Sequence, residues 1–402
     1  MDPSFATAMR RALEQTRAGD PLEATRTIQA ALALGGTEVS SPPPVAEPTP
    51  RPIAGLIEDA EIVEDRPKRA VPPKPARVRP APTGEAAPRL RVRLGEAVRA
   101  LRERVPMPSL PDTAAPAPPS IPEGARYETR RHSGPQGERD YRLYVPPHLP
   151  DGPQGLIVML HGCTQNPDDF ARGTAMNAQA ERHGLIVAYP HQTRAHNAQN
   201  CWNWFRPGDQ SAASGEPAIL AGLAREVAAE FGIPQGRVFA AGLSAGGAMA
   251  AILGHTHPDL FAAVGVHSGL PPGAAQDVIS AFAAMRGEAA DPAAETGAAS
   301  GLRTIVFHRT ADATVHPANA DALVRASATD QAGPAVTERG QGGSGRPYHR
   351  MRIRSADGRC VVEQWKVDGL GHAWSGGDRS GSYADPAGPD ASAEMARFFL
   401  EG

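Results

Sequence analysis

Ser244 stands at the centre of Gly242-Leu243-Ser244-Ala245-Gly246, directly after the apolar run Val238 to Ala241 and directly before Gly247-Ala248-Met249-Ala250-Ala251-Ile252-Leu253. A serine on a tight strand-to-helix turn projects its hydroxyl from the sheet edge, and the helix N-terminus favours negative charge developing beside it. With 42 glycines in the chain, a simple glycine turn is the competing reading. Nucleophilic chemistry would require a base and an acid further along, in the order serine, acid, histidine. Asp312 follows the run ending at Phe307-His308, and His372 follows the run ending at Val367, within Asp368-Gly369-Leu370-Gly371-His372-Ala373-Trp374. Asp321 lies in an expected helix from Pro317 onward, and Asp368 sits beside the histidine loop, so Asp312 is the preferred acid. His308 reads as a strand-end structural residue, and His316 as a turn or substrate-rim residue.

Acyl transfer also needs donors for the oxyanion, typically the backbone N–H after the nucleophile and one from the loop after an earlier strand. Ala245 provides the first. Cys163, in Leu160-His161-Gly162-Cys163-Thr164-Gln165, is placed to provide the second through its N–H, with no chemistry asked of its thiol. The 13 histidines contain no His-Glu-x-x-His helix or comparable ligand cluster, so no metal and no cofactor is expected.

These residues need a scaffold of short buried strands alternating with amphipathic helices. Strands are expected over Arg139 to Val145, Gly155 to Leu160, Leu185 to Tyr189, Val238 to Ala241, Phe261 to Val266, Thr304 to Phe307 and Val361 to Val367. Helices are expected over Pro217 to Phe231 and Ala391 to Leu400. That order predicts an α/β fold of the α/β-hydrolase type, a mostly parallel central sheet flanked by helices, over residues 124–402.

The preceding chain differs in composition. Residues 1–35 read as a short helical hairpin broken at Gly19-Asp20-Pro21, and 36–123 as a disordered Pro/Arg-rich linker. Between Pro42 and Pro122 lie 20 of the 41 prolines, and Arg66 to Arg104 holds 12 Lys or Arg against 3 Glu, a local charge of +9 in a chain of net −3. The overall balance excludes a general affinity for nucleic acid. The acidic stretch Gly55 to Asp65 could be an interaction motif, and Arg89 to Val105 a basic amphipathic helix that contacts a granule or membrane surface, although a solvated charged stretch is the competing reading. No apolar run reaches the ~18 residues that span a bilayer, and Met1 to Phe5 lacks the design of a secretory signal, which together lead to an expectation of a cytoplasmic protein. The oligomeric state is left open.

Leu160 to Gln165, Ala188-Tyr189-Pro190, Cys201-Trp202-Asn203-Trp204-Phe205, Gly242 to Met249 and Gly369 to Gly377 together resemble the polyhydroxybutyrate (PHB) depolymerase family esterases, a branch near the feruloyl and acetylxylan esterases. The resemblance covers about residues 125–402. It implies a triad of Ser244, Asp312 and His372, oxyanion donors at Cys163 and Ala245, and an extracellular setting. It also suggests a Cys163–Cys201 disulfide, at odds with a cytoplasm that keeps thiols reduced; Cys360 is expected to be a buried thiol. The chain departs from the family at His308-Arg309, where His-Gly is expected. Trp202, Trp204 and Trp374 lie in expected loops and could line an apolar crevice for the acyl group, or pack in the core. The leading function is a serine esterase on hydroxyalkanoate polymers, oligomers or small esters. A feruloyl or acetylxylan carbohydrate esterase is the alternative, followed by a serine peptidase and a non-catalytic scaffold that binds a granule, membrane or protein.

Overall fold

The computed structural model describes residues 118–288, 301–328, 333–341 and 345–401. The expected hairpin, most of the expected linker and both of its candidate motifs lie outside the described residues.

The sheet takes its order from alternation. Strands β1 (Arg126–Gly134) and β2 (Gly137–Val145) form a hairpin, followed by β3 (Gly155–Leu160), α1 (Pro167–Thr174), α2 (Met176–His183) and β4 (Leu185–Pro190). Next come α3 (Gly215–Phe231), β5 (Val238–Leu243), α4 (Ala245–Thr256), β6 (Phe261–His267), α5 (Val278–Met285), β7 (Arg303–Ala311) and α6 (Ala318–Ser327). Strands β8 (Val336–Gln341), β9 (Pro347–Arg354), β10 (Cys360–Leu370), β11 (Trp374–Ser375) and β12 (Ala384–Asp385), and then α7 (Ala391–Leu400), complete the chain. Ten strands pair in the order β1-β2-β4-β3-β5-β6-β7-β10-β9-β8. The six from β4 to β10 are mutually parallel, and an antiparallel hairpin flanks each side.

Strands β3, β4 and β5 are buried at every position because both faces of the sheet are covered. Along β3, Leu156, Val158 and Leu160 join the core beneath α3, α4 and α6. Ile157 and Met159 point the other way, into the core beneath α1, α2 and α7. At its start the packed chain reaches into the last residues of the expected linker, where Pro119 is buried and Ile121 packs against this second core.

The expected strands and helices are present, several of them one to four residues longer at an end than the apolar runs that announce them. Not anticipated were the short pair β11 and β12, the three strands β1, β8 and β9, and helices α1, α2 and α5. The three strands lie toward the sheet's edges and carry Arg, Glu, His and Thr rather than an apolar run. Helices α1, α2 and α5 have only eight residues each, too few for a clear period.

Candidate active site

Ser244 links β5 to α4 with φ 59° and ψ −121°, a left-handed backbone uncommon for a residue with a side chain. Its N–H donates to the carbonyl of His267 at 2.8 Å, and its carbonyl accepts from Ala248 N–H at 2.9 Å. The flanking glycines make the turn sterically feasible. A Cβ on Gly246 would stand 2.0 Å from Leu160 O, and one on Gly242 would stand 2.4 Å from the backbone of Gly246. The Gly-x-Ser-x-Gly spacing therefore reports close packing of the turn against the end of β3.

Asp312 lies just past β7 and His372 just past β10, the next strand over, so parallel pairing delivers both to the carboxyl end of the sheet. His372 Nδ1 is 2.7 Å from Asp312 Oδ2. Oδ1 of Asp312 accepts from the N–H groups of Thr314 and Val315, at 2.9 and 3.0 Å. Burial alone would raise the carboxyl's pKa, but the His372 hydrogen bond and charge and the Val315 N–H outweigh it and bring it down to about 2. An ionised carboxylate only accepts, which makes His372 Nδ1 the donor; in the neutral imidazole the lone pair is then on Nε2. Nε2 is buried and makes no hydrogen bond among the described residues.

The alternatives to these residues are engaged elsewhere. Asp321 is paired with Lys366 and Gln364, each at 2.8 Å. His308 is 1% exposed, bonds the carbonyl of Val315 through Nε2 at 2.8 Å, and is kept neutral by burial. His316 is exposed, and its N–H donates to Met285 O. Asp368 offers its carbonyl to Arg346.

The loop that carries Cys163, the expected oxyanion donor, is tied down by several hydrogen bonds and a disulfide. His161 accepts from Gln192 N–H at Nε2 (3.2 Å), which assigns its proton to Nδ1 for the bond to Gly162 O (2.8 Å). Full burial lowers its pKa to about 4 and keeps it neutral. Gly162 N–H donates to Gln165 Oε1 (2.9 Å), and Trp202 Nε1 donates to His161 O (3.0 Å). Cys163 and Cys201 are disulfide-bonded, fastening this loop to the segment that carries Trp202. Cys163 N–H makes no hydrogen bond among the described residues. Ala245, as the first residue of α4, has an N–H that helix geometry leaves without an intrahelical acceptor.

The tryptophan expectation needs correction. Trp202, Trp204 and Trp374 are 0, 6 and 1% exposed, leaving almost no surface for an acyl group. Each indole fills space between a loop and the sheet, and Trp374 Nε1 donates to Ser392 Oγ at 3.1 Å. An exposed aromatic close to the oxyanion loop is Tyr383, 46% exposed, with its hydroxyl 3.4 Å from Thr164 Oγ.

His267 escaped sequence reading and links two parts of the site. Its carbonyl receives Ser244 N–H, and its Nε2 receives Ser375 N–H at 3.0 Å, three residues beyond His372. Its ring stacks between Phe307 and Trp374. A histidine ending a buried strand beside the elbow strand was the available signal.

The mostly parallel sheet with helices on both faces is an α/β-hydrolase fold. A family model described as esterase PHB depolymerase matches residues 139–333, a span holding Cys163, Ser244 and Asp312 but not His372. The match takes in a little under half of the chain, which is similar there to that family of esterases. It is 32% identical over 238 residues to the poly(3-hydroxyalkanoate) depolymerase C of Paucimonas lemoignei, covering 56% of this chain and 57% of that one. To the poly(3-hydroxybutyrate) depolymerase of Ralstonia pickettii it is 29% identical over 264 residues, covering 60% and 52%. The chain thus spans little more than half the length of these relatives. Among solved structures, an acetyl xylan esterase from Aspergillus awamori matches with a TM-score of 0.52 at 20% identity, covering 69% of this chain and 99% of that one, a likeness of fold.

Proposed function

We propose that the chain is a serine carboxylic-ester hydrolase that cleaves polyhydroxyalkanoate polymer or oligomers, or small esters, through an acyl-enzyme. The observation that carries this reading is the Asp312–His372 hydrogen bond, which leaves a buried, unpartnered Nε2 at the same end of the sheet as the Ser244 turn. In the first half-reaction Ser244 Oγ bonds to the ester carbonyl carbon as its proton passes to His372 Nε2. The N–H groups of Cys163 and Ala245 hold the oxyanion, each donor contributing about 3 kcal/mol to barrier lowering. The C–O bond to the alcohol then breaks, and the alcohol leaves with the proton from His372. Water repeats the sequence on the acyl-enzyme, releasing the acid and restoring Ser244. Asp312 holds the imidazole and stabilises its cation.

The names of the two depolymerase relatives support a hydroxyalkanoate ester as substrate. A feruloyl- or acetyl-carbohydrate ester is the second reading. It is supported by the names of the acetylxylan and feruloyl esterases to which the chain is also similar. The local charge of +9 over Arg66 to Arg104 supports contact of that segment with a granule or an anionic surface. Hydrolysis of p-nitrophenyl butyrate tests the enzyme reading. Ser244→Ala should lower kcat by about 10⁴-fold or more; a wild type inert toward butyrate, hydroxybutyrate-oligomer, feruloyl and acetyl esters would sink it.

A further inference from the structure

Arg309 occupies the place where the family resemblance leads one to expect glycine, and it is 3% exposed on β7, three residues before Asp312. A buried guanidinium is costly unless paired. Its partner is Asp385 of β12, whose Oδ2 also accepts from Arg346 Nη2 at 2.9 Å. Two arginines from separate parts of the chain thus converge on one carboxylate.

Arg346 also touches the backbone that carries His372, and Arg309 lies close to it. Arg346 Nη1 donates to Asp368 O at 3.3 Å, and a Cβ on Gly369, where φ is 120°, would stand 2.4 Å from that nitrogen. Arg309 Nη1 lies 3.5 Å from where a Cβ on Gly371 would be. Beyond the histidine, β11 pairs with β12, Trp374 N–H donates to Tyr383 O at 2.7 Å, and Gly376 N–H donates to Asp385 O at 2.8 Å. The histidine loop is therefore held before His372 by Arg346, which shares Asp385 with Arg309, and after it by the strand that bears Asp385. The same short segment reaches the oxyanion loop, because Gln165 Nε2 donates to Ser382 O at 3.0 Å and Asp169 Oδ1 accepts from Ser382 N–H at 2.9 Å.

We propose that Arg309, Asp385 and Arg346 form a positioning clamp that sets His372 against Ser244 and keeps the histidine loop in register with the oxyanion loop. This rests on the esterase reading above. The clamp makes no contact with substrate. It removes freedom from a loop rich in glycine, whose drift by a fraction of an ångström would weaken proton transfer.

The test compares the full-length wild type with Asp385→Asn and Arg346→Met, using p-nitrophenyl butyrate kinetics and labelling of Ser244 by a fluorophosphonate to count competent sites. For each variant the clamp predicts kcat per labelled site lowered about ten- to hundredfold, with KM within about twofold. The labelling rate should fall in parallel with kcat. Arg346 is 28% exposed in its side chain, so its replacement keeps the test decisive if Asp385→Asn does not fold. An active wild type whose folded variants keep the full kcat per labelled site overturns the clamp and leaves the esterase reading standing. A wild type that is neither labelled nor active overturns both.

Discussion

An amide in place of the Asp312 carboxylate would offer His372 the opposite of what the carboxylate offers. Its carbonyl oxygen could still accept from Thr314 and Val315 N–H, but its NH₂ would then face Nδ1 and hold the imidazole in the wrong tautomer, with the proton on Nε2. Asp312→Asn is therefore expected to lower kcat/KM by about 10⁴-fold while the protein still folds; steady-state kinetics beside a thermal melt would check it. At this scale the sequence was most legible where chemistry restricts the residue type. Ser244, Asp312 and His372 could be chosen because each follows a buried strand, and parallel pairing brings the ends of such strands together. The tryptophans could not be placed in the same way, because an indole in a loop of this sequence suits a crevice wall as well as the underside of a loop. Their burial comes from neighbours distant in sequence, such as His161 for Trp202 and Ser392 for Trp374. His267 went unnoticed because its backbone and side chain act in different directions, and only the side chain is visible in a sequence.

Among elements, the loop that carries His161 and Cys163 couples stability to pH. His161 is neutral in the folded protein down to about pH 4, whereas in the unfolded chain it takes up a proton below its ordinary value of about 6.5. Stability from this group is intact above about pH 6.5 and is lost as the pH falls toward 4, a loss on the order of 3 kcal/mol. Urea midpoints at pH 7 and pH 4.5 should differ less in His161→Gln than in wild type, and an equal difference would show that His161 contributes nothing to that window. The Cys163–Cys201 bond closes a loop with a sequence separation of 38. Loop-closure entropy puts the cost of removing it at about 4 kcal/mol. The double replacement Cys163→Ala, Cys201→Ala is expected to lower the thermal midpoint and reduce kcat more than it raises KM, because the loop it frees bears a proposed oxyanion donor. Calorimetry and kinetics on the same preparation would check both. The elements absent from the sequence reading are those with least to bury: β1, β8 and β9 near the edges, and helices two turns long.

For the whole molecule, one sheet with a core on each face joins the described elements into a single packed unit. A chain beginning at residue 118 is expected to keep kcat/KM on p-nitrophenyl butyrate within about twofold of the full-length protein. The proposed role of the basic segment makes a separate demand: retention on polyester granules should be weaker for the shorter chain, most visibly at low ionic strength. Equal retention in a sedimentation assay would remove that role. The two hairpins that finish the sheet have a further effect. β1 carries Arg126, Glu128, Arg130 and Arg131 along its length, tied into pairs such as Arg130–Glu128 and Arg131–Asp140. At the opposite margin, Glu338 of β8 is gripped by Arg350 and Arg352. A strand arriving from another molecule would have to strip water from these charges before it gained a single ladder hydrogen bond. The sheet therefore terminates itself at both margins, which allows the protein to be crowded at high concentration without its strands templating fibrous self-association.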